Sequence, residues 1–380
     1  MAGVLLLGLI STASGYTITW TGNVSSNWAD TNNWSPNEIP YTNAHNPVTI
    51  TTSTPHPCVV DGTTQCAWKC TFSGSGTMTI RPGGMLITSN NVTINSYGEV
   101  QSNATLAPGA DYLGISFGTP GVSATLDVNG GTVDGAFAPG TNMFGVGSIA
   151  PGYGNTPGTG ILNVALGDYV RCPRVLLATS GRGIINITNE GSRFEWTGEF
   201  RNGIGGGIGA VNVYNGTLAG NIFYNAYDYS STGILNICGG QLLVTSDLYN
   251  SYIVTNTSEQ VTITIASGAT NLWVGGNYYQ RTNSAMIVEL TATSHPPLRV
   301  NGIAYLAGTL RVASNSVEQL TSVEIIIGDA DTNSGTAGLS GRFNTFDASA
   351  MPHPANWSLS YTDDKVTLSY SPRGTLVKCH

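Results

Sequence analysis

The sequence is poor in charged residues. Only 9% of its 380 residues are Asp, Glu, Lys or Arg, whereas a typical soluble domain has about a quarter. The formal net charge is −8, and the chain contains three lysines and no basic run. Because nucleic-acid binding relies on a basic patch that neutralises phosphates, this composition argues against a nucleic-acid partner.

Long apolar runs are also lacking, since no stretch approaches the ~20 residues that cross a membrane. Residues 1–15, MAGVLLLGLISTASG, contain a short apolar core followed by the small residues Ala13 and Gly15. This pattern predicts a secretory signal peptide cleaved before Tyr16, and hence a secreted or cell-surface protein. The segment has no basic n-region, so a buried first strand is the alternative.

The six cysteines fit an oxidising compartment. Three of them cluster at Cys58, Cys66 and Cys70, and His56 lies nearby. A zinc site needs paired Cys or His ligands at defined spacing, and no second pair follows this cluster. A local disulfide is therefore favoured over a metal site.

What the chain has in abundance is glycine, 49 residues in all, and a short phrase that recurs. The phrase is GILNV at 160–164, GIINI at 183–187 and GILNI at 233–237. Its apolar–polar–apolar core recurs with separations of 36, 23, 26, 24 and 28 residues. The core triplets are Leu126-Asp127-Val128, Leu162-Asn163-Val164, Ile185-Asn186-Ile187, Val211-Asn212-Val213, Leu235-Asn236-Ile237 and Ile263-Thr264-Ile265.

A second phrase with the same period lies between these triplets. It places an aromatic residue beside Asn202, Asn225 and Asn250, which are spaced by 23 and 25 residues. A period in the twenties indicates a solenoid, and the alternation of two within each phrase indicates strands. No helical spacing occurs in the repeat, which excludes leucine-rich and ankyrin repeats.

These features predict an all-β fold, a right-handed, single-stranded parallel β-helix with a cap at each end. Apolar phrase positions should face inward, and Asn163, Asn186, Asn212 and Asn236 should form an external ladder. We expect a signal peptide at 1–15, a Trp-rich cap and first coils at 16–75, the β-helix at 76–317, and an antiparallel cap and tail at 318–380. The Gly/Pro-rich segment 134–160 predicts an excursion from the wall, either a partner-binding loop or a tolerated insertion.

The two ends differ in sequence from the repeat. Trp20, Trp28 and Trp34 fit a plug for the first coil, with sugar stacking as the alternative. At the other end, residues 357–361 and 365–370 alternate around Thr362-Asp363-Asp364, which predicts a hairpin, and 322–327 predicts a further strand.

The Trp-rich opening, the Gly-φ-φ-Asn-φ coils and the ending GTLRV…EIII…GRFNTFD…ANWSLSY…VTLSY resemble the passenger β-helices of autotransporter-type proteins. They are most similar to secreted bacterial solenoids that often carry C-terminal sorting tails. The resemblance spans about residues 17–370 and rests on architecture. It implies a surface or extracellular location and an adhesive or structural role.

Catalytic patterns are weak. A glycosidase needs two carboxylates about 5–10 Å apart, but the matching phrase positions hold asparagines after Asp127. Glu195 and Glu199 are the remaining acidic pair, and the neighbouring arginines suggest a surface ion-pair group as the alternative. We therefore expect no enzyme. A polysaccharide-active enzyme or a carbohydrate-binding module on the same scaffold is the alternative function.

Several residues are candidates for binding. The segment with Asp329, Asp331 and Asn333 resembles the start of a calcium loop, with a surface turn as the alternative; calcium is the one candidate ion, and no other cofactor is expected. An aromatic column of Phe200, Tyr224, Tyr249 and Tyr278 would bind sugar rings or another subunit if exposed, and would be core if turned inward. The candidate contact residues are Tyr224, Tyr227, Tyr249, Tyr252, Tyr278 and Tyr279.

The preferred function is an extracellular structural or adhesive protein, a building block of a filament, surface layer or matrix. Self-association into a polymer or lattice is the expected partnership, with glycans as the alternative partner. The predicted route is edge pairing of the first strand, Tyr16–Trp20, which includes Ile18, with the next subunit.

Overall fold

The computed structural model describes twelve segments of the chain. They are residues 15–41, 46–66, 69–109, 112–116, 121–135, 143–146, 158–228, 230–253, 261–291, 295–314, 322–329 and 338–371. These segments contain 35 strands and no α-helix. Two 3₁₀ turns, Thr31–Asn33 and Pro354–Asn356, lie in the terminal regions.

Each coil runs through three walls before the next coil begins, and the strands of a wall are parallel except in the two caps. The first wall carries the repeated phrase. It comprises β4 (Cys58–Val60), β7 (Thr77–Ile80), β10 (Tyr97–Gln101), β13 (Ser123–Asn129), β16 (Thr159–Ala165), β19 (Arg182–Ile187), β21 (Ile208–Val213), the first parts of β23 (Thr232–Val244) and β25 (Val261–Val274), β27 (Ser284–Leu290), β30 (Thr309–Ser314) and β33 (Thr345–Ala350).

The second wall follows each phrase strand after a corner. It comprises β5 (Thr63–Cys66), β8 (Met85–Thr88), β11 (Thr105–Ala107), β14 (Thr132–Asp134), β17 (Tyr169–Cys172), the first parts of β20 (Arg193–Asn202) and β22 (Thr217–Asn225), the second parts of β23 and β25, β28 (Leu298–Val300), β31 (Ser322–Gly328), β35 (Lys365–Tyr370) and β34 (Trp357–Tyr361).

The third wall closes the coil. It comprises β2 (Trp34–Ser35), β1 (Ile18–Trp20), β3 (Val48–Ile50), β6 (Cys70–Phe72), β9 (Val92–Ile94), β12 (Tyr112–Ile115), β15 (Met143–Val146), β18 (Arg174–Leu177), the second parts of β20 and β22, β24 (Leu248–Asn250), β26 (Tyr278–Gln280), β29 (Ala304–Leu306) and β32 (Leu339–Gly341). The predicted parallel β-helix is confirmed.

The register along the first wall places like residues above one another. Val164 pairs with Ile187, Ile187 with Val213, and Val213 with Ile237. All four side chains are 0% exposed. The predicted inner column is therefore confirmed, and it forms part of one continuous apolar core. Alternation of two within each strand explains why the phrase repeats, since every coil must present the same inward shape.

The polar position of the phrase forms the predicted external ladder. We call it the outer amide column. Each asparagine donates from Nδ2 to the Oδ1 of the residue one coil earlier, over 2.7–2.9 Å, and the chain of bonds ends on the Asp127 carboxylate. The column comprises Asp127, Asn163, Asn186, Asn212 and Asn236.

The second phrase forms an inner amide column, at which the third wall turns toward the first. Asn202, Asn225 and Asn250 are 0% exposed and Gln280 is 1% exposed. Their side chains bond head to tail over 2.7–2.9 Å. The glycines that open the phrase make room for this column: a Cβ on Gly209 would lie 2.0 Å from Asn202 Oδ1. A Cβ on Gly233 would lie 2.5 Å from Asn225 Oδ1.

The N-terminal cap contains the three predicted tryptophans, each 1% exposed. The Trp34 ring packs edge-on against Trp20 at 4.9 Å and against Trp28 at 4.8 Å between centroids. The Trp34 indole Nε1 donates to the Trp28 carbonyl over 2.8 Å. Because their rings are buried in the core, these residues close the first coil and are not available to stack on sugar. The plug interpretation is confirmed.

The C-terminal cap is antiparallel, as predicted. Strand β35 pairs antiparallel with β31, and the hairpin strand β34 pairs antiparallel with β35 around the turn at Thr362-Asp363-Asp364. The Trp357 side chain is 6% exposed and covers the end of the core. The cap thus replaces the next parallel coil with a reversed pair of strands.

The predicted excursion at 134–160 is partly wrong. Met143–Val146 is a third-wall strand that pairs with β12 on one side and β18 on the other. The coil therefore completes its circuit within the segment that was predicted to leave the wall. Residues 136–142 and 147–157 lie outside the described part of the chain.

The predicted domain boundary at 75/76 falls in the turn between β6 and β7, within the continuous β-helix. Residues 1–14 and the boundary at 317/318 lie outside the described residues, so the signal-peptide and tail predictions stay predictions. Among the residues that the structure describes, no helix is long and apolar enough to span a membrane.

The cysteine prediction concerns neighbouring strands of one coil. Cys58 and Cys70 are both 0% exposed, and Cys66 ends β5 between them. The predicted local disulfide remains a prediction. The later cysteines differ from this cluster, because Cys172 is buried in the core and Cys238 is exposed, and neither forms a disulfide within the described residues.

Candidate binding surface

Outward-facing tyrosines follow one column of the third wall. The strand register places Tyr224 next to Tyr249, Tyr249 next to Tyr279, and Tyr279 next to Tyr305. We call these four residues the tyrosine ladder. Each is contributed by a successive coil, so the period of the solenoid itself brings the rings together.

The rings of the ladder stack nearly parallel. Centroids are 4.9 Å apart between Tyr224 and Tyr249, 4.5 Å between Tyr249 and Tyr279, and 4.9 Å between Tyr279 and Tyr305. The interplanar angles are 19°, 2° and 5°. This spacing matches the distance of about 4.8 Å between neighbouring strands. Stacked aromatic pairs stabilise a fold by roughly 0.5–1.5 kcal/mol beyond area burial.

A second pair of tyrosines lies on the adjacent corner. Tyr227 and Tyr252 are parallel to each other, with centroids 5.2 Å apart. Tyr252 lies edge-on to both Tyr224 and Tyr249. Its side chain is 38% exposed, whereas Tyr224 is only 9% exposed. The corner pair therefore covers the first ladder ring and extends the aromatic surface to solvent.

The structure corrects the predicted column. Phe200 and Tyr278 are 0% exposed and face the core. They belong to an apolar column of the third wall, in which Phe223 and Leu248 lie between them. The residue after each of them faces outward, and at those positions lie Arg201 and Tyr279. Tyr278 is therefore not a contact residue, because its hydroxyl donates inward to Gln280.

Sequence reasoning missed Tyr305, the last ring of the ladder. It lies 26 residues after Tyr279, which fits the period of the other rungs. The signal was available in the segment GIAYLAG at 302–308, but that segment lacks the asparagine that marked the other rungs.

Two hydroxyls of the ladder, those of Tyr224 and Tyr249, have raised pKa values. Burial first, and then the Asp247 carboxylate, raise the pKa of Tyr249. The Tyr249 hydroxyl donates to Asp247 Oδ2 over 3.1 Å. Burial likewise raises the pKa of Tyr224. At this end of the ladder, the hydroxyl groups of Tyr224 and Tyr249 are therefore neutral near pH 7.

This geometry limits what the ladder can bind. A sugar ring stacks on an aromatic face, but interior rings of the ladder are already covered on both faces by other rings. A free face can exist only at an end of the stack. At the first end, the guanidinium of Arg201 lies 4.1 Å from the Tyr227 centroid and is paired with Glu199 over 2.6 Å.

The acidic pair Glu195 and Glu199 lies on two different walls. A bulge between Trp196 and Glu199 turns β20 from the second wall to the third. Burial alone would raise the pKa of Glu195, but hydrogen bonds from Tyr169 and Arg193 outweigh burial and hold it below its usual value. A catalytic general acid needs a raised pKa. The geometry favours the ion-pair interpretation of these glutamates.

Of the three predicted calcium ligands, only Asp329 lies within the described residues. Asp329 is exposed directly after β31, and its backbone N–H donates to the Val300 carbonyl over 2.8 Å. Asp331 and Asn333 lie outside the described residues, so the calcium hypothesis stays a prediction. Within the described segments, no group of three or more His, Cys, Asp or Glu side chains is arranged to hold a metal ion.

The predicted assembly strand is already paired along both edges. Strand β1 pairs antiparallel with β2 and parallel with β3, and Ile18 and Trp20 are each 1% exposed. Tyr16, just before the strand, is 48% exposed and donates its hydroxyl to Glu38. The idea that β1 offers a free edge is wrong, because the cap folds β2 back across it.

Comparison with known proteins locates one similarity. A family model described as a domain of unknown function, DUF8693, matches residues 19–112, which include the N-terminal cap and the first coils. No curated protein matches the chain, and no solved structure matches it.

Proposed function

We propose that the protein is an extracellular structural or adhesive β-helix, a building block of a filament, surface layer or matrix. The observation that carries the proposal is that identical side chains from successive coils stack into ladders on the outward faces of the walls. The outer amide column and the tyrosine ladder each link successive coils through side chains. Such ladders add stiffness along the solenoid axis.

The polar and aromatic groups of the ladders mostly contact one another within the molecule. Amides of the outer column donate to and accept from their neighbours, and ladder rings cover each other's faces. The glutamates that come nearest to a catalytic pair are each held by an arginine. A stiff rod with regular walls suits a structural role better than it suits an enzyme, whose active site must transfer protons.

The location outside the cell belongs to the same proposal. It rests on the signal-like segment 1–15 and on the resemblance to autotransporter-type passengers and to secreted solenoids with sorting tails. Proteins of those kinds are generally found at surfaces, where they adhere or build structure. In this proposal, copies of the chain associate with one another to form the polymer or lattice.

The association route shifts from the N-terminal strand to the C-terminal cap. Within the described part of the chain, β34 is paired only with β35, which leaves its other edge open. Open edges of β-strands pair readily with a strand of another molecule. Ser358 and Ser360 on β34 are exposed, so charge can be introduced there without touching the core.

The test is the oligomeric state of the purified protein at rising concentration. Sedimentation velocity and negative-stain electron microscopy should show concentration-dependent oligomers or filaments. The double variant Ser358→Lys/Ser360→Lys should weaken association at least ~10-fold, because charges on an edge strand oppose edge pairing. Ser102→Lys/Ser230→Lys adds the same charge at exposed corners of the coils and should associate like the parent protein.

Two results would overturn the proposal. One is a parent protein that stays monomeric at the highest soluble concentration and binds neither cells nor extracellular matrix. The other is equal weakening by both double variants, which would point to general charge repulsion instead of an edge contact.

A further inference from the structure

A cleft of about 260 Å³ lies at the second end of the tyrosine ladder. It is bordered by three successive coils of the third wall and by the corner that follows them. The surface that it exposes is mostly apolar, and its lining comprises Gln280, Arg281, Thr282, Tyr305, Leu306, Ala307, Ser340 and Gly341. None of these residues was part of the predicted contact surface.

Tyr305 brings a free aromatic face to this cleft. One face of its ring is covered by Tyr279 at 4.9 Å and 5°. On the other side, the register places Ser340, whose side chain is far too short to cover a ring. The cleft occupies the place that the next ladder ring would fill. Among the described residues, no second aromatic ring stacks on this face of Tyr305, which borders the cleft.

Arg281 brings a positively charged side chain to the same cleft. Its guanidinium carbon lies 5.3 Å from the Tyr279 centroid. Among the ion pairs of the described segments none includes Arg281, and its buried Nε has no hydrogen-bond partner there. Arg201, at the opposite end of the ladder, differs because Glu199 neutralises it.

Exposed hydroxyl groups complete the lining. Thr282 follows Arg281 on the corner, and Ser340 lies on the outer coil. A hydroxyl can donate and accept, so both can bond the hydroxyl groups of a sugar. Beside its apolar residues Leu306 and Ala307, the cleft thus has one aromatic ring, one cationic side chain and two hydroxyl side chains around a volume suited to a single sugar ring.

From this combination we propose that the cleft binds an acidic sugar residue of a glycan. The apolar face of the sugar ring lies on Tyr305, and its carboxylate accepts hydrogen bonds from the Arg281 guanidinium. Thr282 and Ser340 bond ring hydroxyls. A free phosphate would use the arginine but would leave the aromatic face uncovered, which favours the sugar. This goes beyond the proposed scaffold function, because a monomer would carry the cleft equally well.

The experiment is isothermal titration calorimetry of the full-length protein at low salt. The probes are a tetramer of β-linked glucuronic acid, the matched glucose tetramer and inorganic phosphate. We expect binding of the acidic tetramer and at least ~10-fold weaker binding of the other two. Arg281→Gln should weaken the acidic tetramer at least ~10-fold, because charge-assisted hydrogen bonds are the strong ones.

Ring variants separate stacking from charge. Tyr305→Leu should weaken the acidic tetramer several-fold, whereas Tyr305→Phe keeps the ring and should bind like the parent protein. Arg182→Gln removes an exposed arginine from the first wall and serves as the charge-matched control. Circular dichroism and thermal melting of every variant establish that the fold is retained.

Several results would overturn the inference. Equal affinity for the glucose tetramer would remove the role of the carboxylate, and unchanged binding by Arg281→Gln would remove that of the arginine. Phosphate binding as tight as that of the tetramer, together with an unaffected Tyr305→Leu variant, would identify a simple anion site. Absence of binding to the acidic tetramer would end the proposal and leave the self-association test unaffected.

Discussion

The two amide columns are chemically alike but lie in different surroundings. The outer column is half-exposed on the first wall, whereas the inner column is buried where the third wall meets the first. Both form head-to-tail side-chain bonds of about equal length. The two columns therefore share the same kind of hydrogen bond and differ in how far the bonded groups are buried.

Each inner amide has a second bond that the outer column lacks. The Nδ2 of Asn225 donates to the Thr262 carbonyl over 2.8 Å as well as to Asn250 Oδ1 over 2.9 Å. Asn202 and Asn250 donate in the same way to the carbonyls of Ile234 and Ala285. The inner amides therefore satisfy backbone groups that water does not reach, which makes their loss more costly.

The largest effect should come from Asn225→Leu. The substitution keeps the approximate volume but leaves Asn250 Oδ1 and the Thr262 carbonyl without their donor. It also removes the acceptor of one Asn202 N–H. Because each buried group left unpaired costs about 1–3 kcal/mol, we expect a loss of about 4 kcal/mol in the free energy of unfolding. Guanidinium-induced unfolding followed by circular dichroism measures it.

A loss below about 1 kcal/mol would contradict this account of the inner column. It would mean that the neighbouring groups find other partners or that water enters the corner. The transition should also be tested for two-state behaviour, since solenoids can unfold in segments. A changed denaturant slope would signal such a loss of cooperativity.

A buried carboxyl differs from the amides of both columns, because it can ionise and they cannot. Asp168 lies at a corner between the first and second walls and is 1% exposed. Burial raises its pKa to about 6, although backbone N–H groups, including that of Ala165, act in the opposite direction. The protonated carboxyl is thus the form that the folded state favours. Its contribution is complete below about pH 4 and is lost as the pH rises through about 6.

Asp168→Asn should therefore gain stability relative to the parent protein as the pH rises from 4 to 7. A shift of about two pKa units corresponds to a gain of at most about 3 kcal/mol. His295 acts oppositely in both proteins, because burial lowers its pKa to about 4 and stability falls as the pH drops from about 6.5. Thermal melting at several pH values measures the difference, and a difference that does not vary with pH would refute the prediction.

The sequence was most informative where the period and the strand alternation agreed. On the first wall, the phrase fixes which residues face inward, and Val164, Ile187 and Val213 lie in register as predicted. The tryptophan cap and the C-terminal hairpin were equally predictable, because an exposed coil end demands a cover and the alternation around Thr362 demands a turn.

The third wall was harder to predict, since its strands are short and its marker residue changes. Tyr278 and Tyr279 are adjacent, and one faces inward while the other faces outward. The choice depends on aligning Gln280 with Asn250, which the sequence hides because glutamine replaces asparagine. Strand β15 was not predicted for a similar reason, because its sequence Met-Phe-Gly-Val contains neither of the two repeated phrases. That Arg281 has no carboxylate partner among the described residues depends on contacts between coils, which no local pattern reveals.

The smallest effect should come from Asn212→Leu, the matched substitution in the outer column. The change removes the bond from Asn212 Nδ2 to Asn186 Oδ1, 2.9 Å long, and the bond that Asn236 donates, 2.8 Å long. Water can reach the two groups that lose their partners, so we expect a loss of only about 1 kcal/mol in the free energy of unfolding. The same denaturation experiment measures it beside Asn225→Leu. If the two variants lost equal stability, burial would not be what distinguishes the columns, and the difference in their second bonds would carry no energetic weight.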